Sequence, residues 1–93
     1  MMIIRGVNVF PASVESILRE IPGVVEYRMT ATKAGQMDQL KVELEATQTV
    51  ADAASELLST RLGLRIDVSQ VADGELPRFE AKGQRFVDLR GAH

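Results

Sequence analysis

Residues 76–85 read LPRFEAKGQR and hold one of the chain's three lysines, Lys82, directly before Gly83 and between Arg78 and Arg85. A lysine ammonium is a compact charge on a flexible stem, and next to a glycine it suits capture of an anionic group that arrives from outside. The plain alternative is a solvated loop whose charges meet only water. A second stretch, Arg5-Gly6-Val7-Asn8-Val9-Phe10, places a glycine just ahead of a helix. Glycine there permits a positive φ or the close approach of a ligand to the backbone, and Asn8 can close its own turn through its side chain. The alternative is that these residues cap and staple the first helix, with Phe10 as a core anchor. Residue types and spacing leave both pairs of readings open.

Other chemistries have weaker support. The only histidine is the last residue, His93, and there is no cysteine, which removes disulfides, thiolate metal sites and thiol nucleophiles together. Asp52, Glu56, Glu75 and Glu80 have no spacing that builds a metal site, so none is expected. Ser13 and Ser16 lie in the first turns of a helix with no base near them in sequence. Glu43 and Glu45 alternate with apolar residues, which reads as the solvated face of a strand, and the methionines read as core filler.

The elements that must position these residues follow from periodicity. Pro11 suits the first helical position; Val14, Ile17, Leu18 and Ile21 then recur at helical spacing, with Glu15 in the first turn, until Pro22-Gly23 stops the helix. Val25, Tyr27, Met29 and Ala31 alternate as a strand, Ala34-Gly35-Gln36 breaks it, and Leu40, Val42, Leu44 and Ala46 form its hairpin partner. Thr49 is the expected N-cap of a second helix, with Asp52 completing a box-like start and Gly63 its C-terminal glycine. Leu64, Ile66 and Val68 alternate as another strand, Asp73-Gly74 opens a loop, and Phe86 to Leu89 form a short closing strand. With an opening strand at Met2 to Arg5, the order is β-α-β-β-α-β plus a tail. This is the ferredoxin-like split βαβ plan in the α+β class, an antiparallel sheet with two helices on one face. Residues 1–93 are expected to make a single domain.

The composition is that of a soluble globular chain: 45% hydrophobic, 26% charged and a formal net charge of -2. This argues against a general nucleic-acid binder, which needs a concentrated basic face. From Leu76 onward four basic residues face two acidic ones, a basic tail on an acidic body that suggests an anionic partner. No apolar run approaches the length that spans a bilayer, and MMIIRG lacks the features of a secretory signal, so no membrane and a cytoplasmic location are expected.

Taken in order, IIRGVNVFPASVESIL, the hairpin and LPRFEAKGQRFVDLR resemble the C-terminal domain of phenylacetate–CoA ligases, members of the adenylate-forming superfamily. The resemblance runs from Ile3 to Arg90. RGVNVFP before a helix marks the aryl-CoA branch, and LPR-x-x-x-K-x-x-R is the superfamily's lysine loop. Phe79, Glu80 and Ala81 stand where that loop commonly reads serine, glutamate and glycine.

The resemblance implies an AMP-dependent ligase C-terminal, or lid, domain that works with an N-terminal adenylation domain, in cis or in trans, on a small aryl or acyl acid. ATP, Mg2+ and CoA would serve the intact enzyme, with none bound by this domain alone. It assigns Lys82 to catalysis of acyl-adenylate formation and Gly6, Val7 and Asn8 to the loop that faces CoA during thioester formation. Arg5, Arg78 and Arg85 would meet phosphates or the closed interface. The rival expectation is a free-standing, non-catalytic ferredoxin-like module that binds a small ligand or pairs its sheet edges in a homodimer.

Overall fold

A computed structural model of the chain describes residues 2–76 and 85–90. The expected sites Lys82 and Arg78 lie outside the described residues.

The chain opens with a hairpin. Strand β1 (Met2–Ile4) pairs antiparallel with β2 (Val7–Val9), and the two residues between them, Arg5 (φ +50°) and Gly6 (φ +81°), both have positive φ. This is the requirement of a type I′ turn, whose twist matches that of the flanking strands. Helix α1 (Pro11–Arg19) starts with Pro11 as expected and buries Val14, Ile17 and Leu18. Strands β3 (Glu26–Ala34) and β4 (Met37–Glu45) form a long hairpin around the two-residue turn Gly35-Gln36. Helix α2 (Gln48–Leu62) ends at Gly63 (φ +75°), whose N–H donates to the Ser59 carbonyl. Strand β5 (Asp67–Val71) and the short β6 (Phe86–Asp88) complete the order.

The α+β class holds, and the strand pairing is more mixed than the expected antiparallel sheet. The central sheet runs β5-β4-β3-β6, with β3–β4 antiparallel and both β4–β5 and β3–β6 parallel. The opening strand lies outside it. Three residues followed by a tight positive-φ turn fold straight back on themselves, so β1 finds its partner in β2. The parallel β4–β5 pair follows from the α2 crossover, since parallel neighbours need a long connection.

One core joins the layers. Tyr27, Met29 and Ala31 stand in register opposite Leu44, Val42 and Leu40, and these six share a buried cluster with Val14, Ile17 and Leu18 of α1 and Ala51, Ala54 and Leu58 of α2. Both helices therefore cover the same face of the sheet. Met2, Ile4 and Val9 dock the N-terminal hairpin onto this core.

Local details differ from expectation. Thr47, not Thr49, caps α2: its backbone is extended and its hydroxyl accepts from the Val50 N–H at 3.3 Å, whereas Thr49 already lies in the helix. Asp52 accepts instead from the Gln48 side chain at 2.9 Å. The strand expected from Leu64 starts at Asp67, while Ile66 is buried just before it. Glu15 lies past the first turn of α1 and pairs with Arg19 at 2.8 Å. Phe10 is half exposed, and Val9 is the buried anchor at that point.

Candidate functional site

The first candidate is the N-terminal hairpin. Gly6 forms its turn with Arg5, while Val7 and Asn8 lie on β2, so the expected loop is a strand-flanked turn. Asn8 pairs with Ile3 in the ladder and is exposed; the pairing, not an Asn side-chain turn, holds it. A Cβ built on Gly6 would meet nothing within 4 Å. Within this domain the glycine is required by its φ, and the space in front of it is open. Arg5 borders a groove of about 1070 Å³ on the polar side of the sheet, shared with Lys41 and Arg65. A further cation there, Arg28, is paired with Glu43 at 3.0 Å.

Asp38 ties this hairpin to the sheet. Its carboxylate accepts from the Ile3 N–H at 3.0 Å and from the Arg90 guanidinium at 2.9 Å, so one side chain fastens both ends of the described chain. The Ile3 N–H, followed by Arg90, holds the Asp38 carboxyl below its ordinary range. Asp88, bonded by the Arg90 side chain and backbone N–H, is lowered to about 2.

The second candidate is the connection from β5 to β6, residues 72–85, which contains Lys82. The described parts on either side of it are held by two buried acids. Glu45 is fully buried; its Oε1 accepts from the Gly74 N–H at 3.0 Å and its Oε2 from the Leu76 N–H at 2.9 Å. The solvated face expected for Glu43 and Glu45 therefore fails at Glu45, because the incoming connection covers it. Glu26 is 6% exposed and accepts from Arg85 at 2.6 and 3.3 Å and from the Tyr27 N–H at 3.1 Å. The Arg85 guanidinium also lies over the Tyr27 ring, 5.4 Å from its centroid, a cation–π contact. Of the three arginines expected at phosphates or an interface, Arg85 is turned inward, Arg5 is exposed at the turn, and Arg78 is not described. The Glu26 hydrogen bond, outweighing burial, raises the Arg85 pKa above its ordinary value.

Tyr27 completes this corner. Burial, reinforced by the nearby Glu15 carboxylate, pushes its hydroxyl up to about 12, and the hydroxyl makes no hydrogen bond among the described residues.

The two candidates are fastened at opposite ends of the β3–β4 ladder. Asp38 stands opposite Lys33 near the tight turn, and Glu45 stands opposite Glu26 at the open end. Seven residue steps of β4 separate them, roughly 24 Å of strand. Glu26, Glu45 and Asp38 were not singled out from the sequence. Counting outward from Gly35-Gln36 pairs Glu26 with Glu45, and like charges directly opposed on a hairpin are costly; that conflict was the available signal.

No group of three or more His, Asp or Glu able to hold a metal ion exists among the described residues, and no helix among them is long and apolar enough to cross a membrane.

Residues 6–90 match the model of the AMP-binding enzyme C-terminal domain, and the chain belongs to that family, in its acyl/aryl-CoA ligase branch. Its relatives include phenylacetate-coenzyme A ligase of Escherichia coli (strain K12), 30% identical over 102 aligned positions that take in 97% of this chain and 23% of that enzyme. The chain thus spans about a quarter of the length of this curated relative.

Among solved structures, a domain of phenylacetate-coenzyme A ligase from Bacteroides vulgatus matches with a TM-score of 0.75 and 27% identity, covering 100% of this chain and 95% of that one. A 2-hydroxyisobutyryl-CoA ligase in complex with 2-HIB-AMP and CoA, in its thioesterification state, matches with a TM-score of 0.77 and 29% identity over 95% of this chain and 21% of that one. The same ligase in its postadenylation state matches with a TM-score of 0.77.

Proposed function

We propose that this domain serves both half-reactions of an ATP-dependent acyl- or aryl-CoA ligase, presenting Lys82 to the first and the Arg5-Gly6 turn to the second. In the first, a carboxylate oxygen of the acid attacks the α-phosphorus of ATP. The new C(O)–O–P linkage forms as the bond to the departing pyrophosphate breaks, and pyrophosphate leaves with that electron pair. Two anions must approach one another, so a positioned cation lowers the barrier. Lys82 is that cation in this reading. The Mg2+ that accompanies ATP would be held by the nucleotide and the adenylation body.

In the second half-reaction the CoA thiol sulfur attacks the carbonyl carbon. The thioester bond forms, AMP departs with the electrons of the C–O bond, and the thiol proton is released. The open space at Gly6 suits the passage of a narrow pantetheine arm along β2, past Val7 and Asn8. Arg5, with Lys41 and Arg65 on the same groove, supplies positive charge for CoA phosphates.

The observation that carries this reading is the separation of the two fastening points along β4. The described ends of the two regions sit that far apart on one strand, and in this reading the small domain turns between steps, a motion of the kind that limits turnover in many enzymes. The similarity to one ligase solved in both a postadenylation and a thioesterification state supports the same view.

The test uses the chain joined to, or mixed with, an adenylation body of a phenylacetate–CoA ligase. Lys82→Ala is expected to lower ATP–pyrophosphate exchange by about 100- to 1000-fold, the effect of removing one preorganised charge-stabilising group. Thioester formation from preformed acyl-adenylate is expected to be largely unchanged. Equal loss of both steps would overturn the role given to Lys82.

A further inference from the structure

We infer that Glu26 and Glu45 are positioning residues for the first half-reaction, a pair of buried carboxylates that fixes both ends of the segment carrying Lys82. This deepens the reading above and rests on it for the role of Lys82.

The topology sets the problem. Strand β5 lies on one edge of the sheet and β6 on the other, so the chain between them must cross the ends of both central strands. That is three strand spacings, about 14 Å. The connection runs over residues 72–85 and carries Lys82.

Two central-strand residues lie directly beneath this crossing. Val71, the last residue of β5, is paired with Glu45, and β6 begins at Phe86, paired with Met29 just beyond Glu26. Glu45 grips the outgoing chain through two backbone amides, those of Gly74 and Leu76, with the Leu76 side chain buried beside it. Glu26 grips the returning chain through two guanidinium nitrogens of Arg85. Between the two grips run only residues 77–84, eight residues with Lys82 among them.

The choice of residue type is informative. Two carboxylates opposite each other on adjacent strands repel, and burial raises the cost. An apolar pair would have made a more stable end to the ladder if sheet stability were the only demand. Carboxylates are tolerable here because each finds strong donors on the connection, and charge-assisted bonds are short and directional. The arrangement ties the geometry of residues 74–76 and 85 to one rigid cross-strand pair. A catalytic side chain held on rigid elements by supporting bonds keeps its aim, and a misplacement of about 1 Å can cost 100-fold in rate.

The experiment compares Glu45→Gln, Glu26→Gln and Arg85→Lys in the chain joined to an adenylation body, with Lys82→Ala alongside. A glutamine at 45 turns an N–H toward one of two amides that need an acceptor; Arg85→Lys keeps the charge and loses the second prong on Glu26. The expected result is a fall of roughly 10- to 100-fold in the kcat of ATP–pyrophosphate exchange. KM for the acid and thioester formation from preformed adenylate should stay near wild type. A purely structural role would lower both steps together, and that result would overturn the inference.

If Lys82→Ala is step-selective and the glutamate and Arg85 variants are not, the inference falls while the functional reading stands. If Lys82→Ala is not selective, the functional reading falls. A second measurement then judges the anchor alone: in the 93-residue chain, Glu45→Gln should speed amide exchange at Gly74 and Leu76 at least tenfold and leave Leu58 in α2 unaffected. Unchanged exchange would overturn the anchor. Should Glu45→Gln fail to fold, Arg85→Lys carries the kinetic comparison.

Discussion

The N-terminal hairpin and the 72–85 connection both bring backbone to the rim of the same sheet, and they are held by different physics. At the hairpin the backbone itself sets the shape: two successive positive-φ residues, Arg5 and Gly6, reverse the chain, and no side chain crowds the turn. At the connection, side-chain charge sets the shape: Glu45 and Glu26 hold the strands' neighbours by hydrogen bonds to N–H groups and to Arg85. The turn itself is sensitive to what occupies one Cβ position, while the Asp38 carboxylate ties the hairpin to the sheet. The second region depends on the donors that two buried carboxylates find on the connection. In the proposed function the domain shows two surfaces to one reacting centre, and each would then have its own support.

Three measurements press on this contrast, the first with the largest effect. Glu45→Ala removes a fully buried acceptor and leaves the Gly74 and Leu76 amides without it. The expected loss of stability is about 1–3 kcal/mol, the cost of leaving one buried group, the Leu76 amide, unsatisfied. A urea unfolding midpoint checks this, and a loss well below 1 kcal/mol would show that the connection does not depend on that carboxylate.

At the hairpin, Gly6→Val should cost roughly 1–2 kcal/mol, the cost of forcing a branched side chain into left-handed backbone. Gly6→Asn should cost much less, because asparagine tolerates that region. The pair separates turn strain from clearance for CoA. If Gly6→Asn leaves the stability intact and still slows thioester formation, the open space serves the substrate; if it slows nothing, the glycine serves only the turn.

The smallest effect concerns the corner beneath Arg85. Tyr27 is the only tyrosine in the chain, and its hydroxyl is pushed up to about 12, so an ultraviolet titration reads it alone. A group whose pKa is higher folded than unfolded contributes stability below the unfolded value and loses it as pH rises through the folded one. Stability should therefore decline between pH 10.0 and about 12 through this residue, and Tyr27→Phe should remove that part of the decline. Arg85→Lys should bring the midpoint down as the ring becomes wetter, while Gly6→Val should leave it in place. A shift with the hairpin variant would mean that the two regions are coupled after all.

Much of the architecture was legible because it rests on local rules. The stripe Val14, Ile17 and Leu18, the stop at Gly63 and the break around Gly35 each follow from spacing or from a residue that allows a special φ, although Ala34, expected in the break, belongs to β3. The errors share a cause as well. Thr49 is the expected cap and Thr47 the actual one, because two threonines two residues apart look alike until the chain shows which has extended backbone. Glu45 was placed on a solvated face because alternation tells which residues share a side, and nothing in it tells which side a distant segment will cover. Phe10 and Val9 exchanged roles for the same reason, since the hairpin that buries one and exposes its neighbour is a tertiary packing decision.

By itself, then, the amino-acid order determined the two helices, the β3–β4 hairpin and the family, because those depend on contacts within a few residues and on motif spacing such as RGVNVFP and LPRFEAKGQR. The folded structure alone decided that β1 leaves the main sheet, that one aspartate fastens both ends of the described chain, and that two glutamates nineteen positions apart meet across a ladder. The last of these depends on which donors the connection carries past two buried carboxylates. That pairing energy exists only once distant strands are brought into register.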